Sequence, residues 1–323
     1  MKHEMPLYEV IDDQPTNMEM ASEQLDGFVH NPGLEQMADL FGVEDLPDGR
    51  SERLAELRDV ASSHWDFRKG QERQATDWDD ELLSDPESEQ WKTVFDAADK
   101  LGMVQSGEFT NKTPDYLVIL GGANKAPLDR LRFGLESVDD CGHVVYLGSS
   151  RPVSDAEREK AKDYAPDAQT EFDLGSGAFE TLLGARLVDE VVEERNGDTW
   201  GMRFYEYENA DGQTKQGFVL STPQMIEGNR ATTYDNFKFF AHQAQLEDNP
   251  GTTVGAVTTA FYAPAQHLPG VQELTLPYGA QLETIGHSAE YSGVTRKPAQ
   301  LLQEAKAAID AAQRLEQAID DNR

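Results

Sequence analysis

Tyr116-Leu117-Val118-Ile119-Leu120-Gly121-Gly122 decides the fold. Five apolar residues in succession, with no polar alternation, suit a strand buried on both faces, as in a parallel sheet covered by helices. The glycine pair ends the run, and Leu128, Leu131, Phe133 and Leu135 follow at helical spacing. Val144-Val145-Tyr146-Leu147 is a second apolar run, closed by Gly148. Ser154 and Glu157 have the spacing of a capping box, which opens a helix through Tyr164. Strand, glycine turn and helix repeated in this order predict a doubly wound, mainly parallel α/β sheet of the Rossmann-like type.

Outward from that centre the pattern changes. Glu171-Phe172-Asp173-Leu174 reads as a short third strand. Met202 to Tyr207 and Gly217 to Leu220 flank Asn209-Ala210-Asp211-Gly212, a turn sequence, and predict an antiparallel hairpin within about 184–223, inserted in the sheet or added to its edge. Thr232 caps a helix through Phe240, Thr253 to Thr258 forms a strand, and Val271 to Leu276 reads as the last strand. Pro298 to Ala318 is a long amphipathic helix. Upstream, residues 1–113 read as a polar helical accessory layer, with apolar stripes at Leu34, Met37, Ala38, Leu40 and Phe41, at Leu54, Leu57, Val60 and Ala61, and at Trp91, Val94, Phe95 and Ala98. Asp77 to Glu89 is an acidic loop or weak helix broken at Pro86. The expected division is 1–113, an α/β domain over 114–297, and a C-terminal helix over 298–323 packing on the core.

Composition narrows the partners. The chain has 323 residues, 38% hydrophobic and 9% aromatic, as in ordinary globular proteins. Its 28 basic and 60 acidic residues give a formal net charge of −32. Phosphate backbones and anionic membranes are recognised by clustered Lys and Arg, so neither nucleic acid nor a membrane is an expected partner. The acidity reads first as a solubility feature, suited to a salty cytoplasm where screening relieves self-repulsion, with a specific cationic partner as the alternative. Met1 to Asp12 lacks the basic and apolar regions of a secretory signal, and the cytoplasm is the expected compartment. Cys141, the single cysteine, permits no intramolecular disulfide and reads as a buried, inert thiol. The seven histidines show no metal-ligand spacing, and no metal is expected.

In open parallel sheets a ligand sits outside the carboxyl ends of the strands. Four loops occupy that position. Gly121, Gly122, Asn124 and Lys125 follow the first strand, where glycines let the backbone approach an anion and Lys125 neutralises it; a tight turn explains the same glycines. Ser149, Ser150 and Arg151 follow the second, offering hydroxyls and a cation to a ribose or phosphate, or simply serving the turn. Asn229 to Asn236, including Thr233, Tyr234, Asp235 and Asn236, gather more polar groups at a helix start than the Thr232 cap requires. Thr258, Thr259 and Tyr262 close a late strand. No Walker sequence and no full Gly-x-Gly-x-x-Gly is present, which argues against a typical ATPase or nicotinamide dehydrogenase.

Leu120-Gly121-Gly122, Gly148-Ser149 with Ser154-Asp155-Ala156, Thr233-Tyr234-Asp235-Asn236 and Val257-Thr258-Thr259 resemble, in order, the motifs of the YdcF/SanA-like (ElyC-related) bacterial family over roughly Asp115 to Leu276, the insert at about Leu183 to Pro223 excluded. The resemblance implies a Rossmann-like domain, a role near envelope biogenesis for some members, and binding of S-adenosylmethionine. Departures accompany it. Leu147-Gly148-Ser149 stands for the family's Ser-Gly-Gly, Asp155 and Asp235 stand for its glutamates, and Tyr262 and Ala265 stand where the family has His and Arg. The last pair removes an acid/base group and an anion-binding guanidinium.

The first functional expectation is therefore a small-molecule binding protein, for a nucleotide or S-adenosylmethionine, with Asp235 as general base if a reaction occurs. A non-catalytic interaction or scaffolding protein on the same fold is the alternative. A metal-dependent hydrolase using Asp129, Asp155 and Asp235 is a weaker one. A Ser288, Asp235 and His267 triad is discounted, because Gly175-Ser176-Gly177 lacks nucleophile-elbow spacing. Arg68 or Arg73 near Trp65 and Phe67 would close the pocket or anchor the helical layer, and His287 and Ser288 with Tyr291 and Arg296 would line the same cleft.

Overall fold

The computed structural model describes residues 17–69, 85–195, 198–223 and 231–323. Met1 to Asp12, Arg73, Asn229, Arg230 and most of the acidic stretch from Asp77 lie outside them. Four helices come first: α1 (Met18–Val29), α2 (Pro32–Asp39), α3 (Arg50–His64) and α4 (Glu89–Lys100). Then follow β1 (Tyr116–Leu120), α5 (Ala126–Ser137), β2 (His143–Ser149), α6 (Asp155–Ala161) and α7 (Glu171–Leu183). A run of strands comes next, β3 (Arg186–Arg195), β4 (Asp198–Glu208) and β5 (Thr214–Thr222), before α8 (Thr233–Gln243) and β6 (Thr253–Thr259). The chain ends with α9 (Ala263–Gly270), the short α10 (Leu276–Tyr278), β7 (Gln281–His287) and α11 (Pro298–Asp321).

The seven strands form one sheet in the order β3-β4-β5-β2-β1-β6-β7. β1 pairs parallel with β2 and β6, and β2 parallel with β5. This is the doubly wound α/β architecture that the apolar runs predict. β3, β4 and β5 are joined antiparallel. The hairpin about Asn209 to Gly212 is present, but β5 is more than an edge addition: it lies beside β2 within the sheet, and Glu171 to Leu174 supply no strand.

That segment is instead the first turn of α7. Thr170 Oγ1 accepts from the Asp173 amide at 3.3 Å, while Asp173 accepts from the Thr170 amide at 2.9 Å, a capping box. The second correction is at Val271 to Leu276. Val271, Leu274 and Thr275 are buried, an i, i+3, i+4 pattern, and the segment coils as a π-helical turn running into α10. The last strand is β7.

Two compact units result. The first takes in Met1–Asn17, Phe109–Val257 and Glu273–Glu283. Within it, α5 and α7 cover one sheet face. Ile119 and Leu117 meet Gly134 of α5, and the fully buried Tyr146 ring lies so near Gly175 of α7 that a Cβ there would stand 2.3 Å from it. Alternation puts Tyr116 and His143 on the other face, where Tyr116 meets Phe240 of α8 edge-on at 5.3 Å. Cys141 is buried, and burial pushes its thiol up to about 11, so the inert reading holds.

The second unit, Met18–Glu108, Thr258–Gln272 and Thr284–Arg323, is helical. Leu301, Leu302, Ala305, Ile309, Ala312 and Leu315 of α11 are buried against α1, α3, α4 and α9. Trp65 is fully buried beside Phe41, the anchoring role. No helix among the described residues is long and apolar enough to cross a membrane.

The Gly175 contact yields a paired expectation. Gly175→Ala drives a methyl into the fixed Tyr146 ring and costs about 2 kcal/mol, an overpacking loss. Gly27→Ala, in a helix with nothing within 4 Å of the new methyl, gains up to about 1 kcal/mol from helix propensity. Urea unfolding midpoints of the two variants should move in opposite directions.

Acid stability provides a second expectation. Ser154 and Glu157 cap α6 reciprocally, at 3.3 and 2.8 Å, and Arg151 reaches both Glu157 oxygens at 3.0 and 3.2 Å. Burial alone would raise the Glu157 pKa, but the bonds from Arg151 and Ser154 outweigh it and hold the group at about 2, below its ordinary 4.5. The ionised group thus contributes stability that is fully present above pH 4.5 and is lost as pH falls towards 2. Glu157→Gln should be less stable at neutral pH and should flatten the loss between those values in denaturation curves.

Candidate functional site

The carboxyl ends of β1 and β2 meet at Gly121, Gly148 and Ser149. A Cβ on Gly121 would stand 2.5 Å from the Leu147 carbonyl oxygen and 3.2 Å from Oε1 of Glu171. One on Gly122 would stand 3.3 Å from the Arg130 guanidinium. The glycines therefore admit two buried ionic side chains to the strand ends. Arg130, 3% exposed, donates to the carbonyls of Leu120, at 2.8 Å, and of Gly121. Glu171, 4% exposed, accepts from Ser149 Oγ at 2.6 Å. Neither residue is among the expected site residues. Glu171 was hidden by its assignment to a strand; Thr170-x-x-Asp173 ahead of Leu174 and Ala178 is the helix-start signal that places it.

Around this pair the turn is fixed. Asn124 adopts φ +57°, and its carbonyl accepts from the Tyr164 hydroxyl at 2.5 Å. Lys125 is exposed at the start of α5, which has no side-chain cap. Arg151 is committed to Glu157, while its amide donates to Ser149 Oγ at 3.4 Å. Ser150 lies between them in sequence and is partly buried.

β5 contributes Thr222, directly across from Ser149 in the parallel register and fully buried. Its Oγ1 has no hydrogen-bond partner among the described residues. In α8, Asp235 accepts from the Thr232 amide and hydroxyl, both at 2.7 Å, so the carboxylate expected as a base completes a capping box. Thr233 and Tyr234 are partly buried in the same turn, and Asn236 Oδ1 is buried without a partner among the described residues. Two acceptor oxygens at strand and helix ends thus lack donors, an uncommon state for buried polar atoms.

The fourth expected loop belongs to the second unit. There Thr258 bonds Gln266, Thr259 Oγ1 lies 3.3 Å from Nε2 of the buried His287, and the Tyr262 ring packs on Phe261 at 4.6 Å. Tyr291 packs on His287, and Arg296 lies 4.5 Å above the Phe261 ring. Gln303 accepts from the Arg68 amide at 2.9 Å. His267 is held by Thr284 at 3.0 Å and Gln24 at 2.7 Å, and burial lowers its pKa to about 4, so it is a neutral structural residue.

The carboxylates of the hydrolase reading have separate engagements. Asp129 is buried in the first turn of α5, Asp155 pairs with Arg158 at 2.9 Å, and Asp235 caps α8. Among the described residues, no group of three or more His, Cys, Asp or Glu is placed to hold a metal ion.

At the other end of the parallel strands a cavity of about 440 Å³ opens between the sheet and the last turn of α8. Tyr116, His143, Phe204, Phe218 and Phe240 line it with Gln243. The rings form a continuous row, Tyr116 on His143 at 5.3 Å, His143 on Phe218 at 5.4 Å and Phe218 on Phe204 at 5.7 Å.

Comparison with known proteins places this chain near a different group from the one its motifs suggest. The family model described as the Rv3785 N-terminal domain matches residues 12–102. The uncharacterized protein Rv3785 of Mycobacterium tuberculosis strain H37Rv is 27% identical over 320 residues, covering 90% of this chain and 88% of that protein. The uncharacterized protein Mb3814 of Mycobacterium bovis is similar to the same extent. No solved structure matches the chain significantly. These matches correct the YdcF/SanA-like assignment: the likeness runs through nearly the whole chain, the N-terminal helices included, and it is to the mycobacterial Rv3785 proteins.

Proposed function

We propose that the first unit binds a small, ribose-bearing molecule of the nucleotide or S-adenosylmethionine type at the carboxyl ends of β1, β2 and β5. The observation that carries this reading is the pair of buried oxygens without donors, Thr222 Oγ1 and Asn236 Oδ1. Leaving such an atom unbonded costs about 1–3 kcal/mol, a cost that a ligand's hydroxyl or amine would relieve. The surroundings have the matching chemistry. Glu171 is a buried acceptor of the kind that holds ribose hydroxyls, Ser149 sits on it, and the uncapped start of α5 with the exposed Lys125 suits a phosphate. Gly121 and Gly122 keep this floor low. S-adenosylmethionine shares the ribose and the purine and belongs among the candidates. The reading is one of binding, and no reaction is assigned; Asp235, engaged at its cap, enters as a binding-site neighbour.

Thermal unfolding against adenosine, AMP, ATP and S-adenosylmethionine tests this. A ligand at a hundred times its dissociation constant adds about 2.7 kcal/mol, a readily visible shift. Thr222→Val removes the orphan hydroxyl at nearly constant volume. It should leave the free protein as stable or slightly more so, by up to about 1 kcal/mol, while abolishing the ligand-dependent shift. A shift that survives Thr222→Val, or no shift with any of the four, overturns the proposal.

A further inference from the structure

The cavity beneath α8 has features that packing alone does not explain. Its walls are rings, yet two buried polar atoms on lining residues, Nδ1 of His143 and Nε2 of Gln243, have no hydrogen-bond partner among the described residues. Four aromatic side chains and two imidazoles, those of His143 and His242, around about 440 Å³ are more than a single ordered water needs, and the volume falls in the range of small-ligand sites. The two orphan atoms are complementary in kind. An amide NH₂ donates only, whereas an imidazole nitrogen in the neutral tautomer with the proton on Nε2 accepts. Burial lowers the His143 pKa, which keeps that neutral form at physiological pH.

A ligand that satisfies both atoms must offer an acceptor and a donor on one edge. To meet the rings it must be flat, and to leave water for this lining it must be uncharged. We infer that this cavity is a binding site for an uncharged planar heteroaromatic ring carrying a lactam edge, a C=O beside an N–H, with the carbonyl on Gln243 and the N–H on His143. The site lies at the amino ends of β1 and β2, opposite the strand ends that carry Ser149 and Thr222, so it is a second site and does not rest on the nucleotide reading.

Hypoxanthine has the required edge, and naphthalene is its counterpart in size and shape with no polar group. Calorimetric titration of the full chain should show hypoxanthine binding at least tenfold more tightly than naphthalene. Gln243→Met and His143→Phe each remove one orphan atom while keeping bulk, so both variants should fold with unchanged or higher unfolding temperature. Each should weaken hypoxanthine at least tenfold and leave naphthalene within about twofold. Thr222→Val should leave hypoxanthine binding unchanged, which separates this site from the one at the other strand ends. Equal binding of the two rings, hypoxanthine binding that the two variants leave intact, or no hypoxanthine binding at all, would overturn the inference.

Discussion

The seating of α7 on the sheet is the constraint on which the first unit depends. Two glycines make it, from opposite partners. Gly175 of the helix yields to the Tyr146 ring of β2, and Gly217 of β5 yields to the Phe179 ring of the helix, where a Cβ would stand 2.7 Å away. With rings filling the places of methyl groups, the helix lies close and its first turn reaches the strand ends. That brings Glu171 to Ser149 and to the edge of Gly121. Arg203 of β4 locks the arrangement from the side, bonding Asp173 at 3.0 Å and Ser176 at 2.7 Å while lying 4.1 Å above the Phe172 ring. Interiors packed at this density do not give by a methyl group, so the polar site inherits its geometry from an apolar fit.

The scarce cations are spent in a consistent manner. Arg53 reaches the carbonyls of Val29 and Pro47 and pairs with Glu35. Arg130 reaches two carbonyls at the end of β1, and Arg151 and Arg203 take carboxylates at helix starts. A guanidinium has several donors in a fixed plane, so one side chain can satisfy several acceptors at once. The acidic excess of this chain is then a surface property, and its self-repulsion is a matter for the salt around it.

The sequence makes the fold legible wherever burial is two-sided or capping is local. The apolar runs at Tyr116 to Leu120 and Val144 to Leu147 are strands, and Ser154 with Glu157 and Thr232 with Asp235 are capping boxes. Where short apolar stretches lack length, period alone does not decide. Phe172 and Leu174 alternate as a strand would, yet Thr170 and Asp173 start a helix there. Val271 to Leu276 follows Pro269 and Gly270, and its buried positions fit a coil of helix better than a pleat. The site was legible as a location but not as a set of interactions. Gly121, Gly122 and Ser149 are at the strand ends as expected, but what they admit, Glu171 and Arg130, comes from the first turns of helices and is visible only once the chain is folded. Short motifs also misdirect: Thr233 to Asn236 suggested a family through residues of which two serve or follow an ordinary cap.

The two ends of the parallel strands differ in the chemistry they would offer to a ligand. At the carboxyl ends, strand carbonyls and helix starts concentrate polar groups, and among the described residues Thr222 Oγ1, Asn236 Oδ1 and Arg151 Nε are left buried without partners. At the amino ends the helix α8 is closing, and side chains such as Phe240 meet the strands. Polar side chains there are few, the imidazoles of His143 and His242 and the amides of Gln243 and Gln245, set among rings and aliphatic groups. A hydroxyl-rich phosphate would suit the first environment, where acceptors take its hydroxyls and a helix start with Lys125 meets its charge, but entering the second would strip that charge of solvent without return. A flat neutral ring has the opposite preference. If both proposed sites hold, the same sheet would sort ligands by charge between its two ends, with helix starts at one and aromatic side chains at the other.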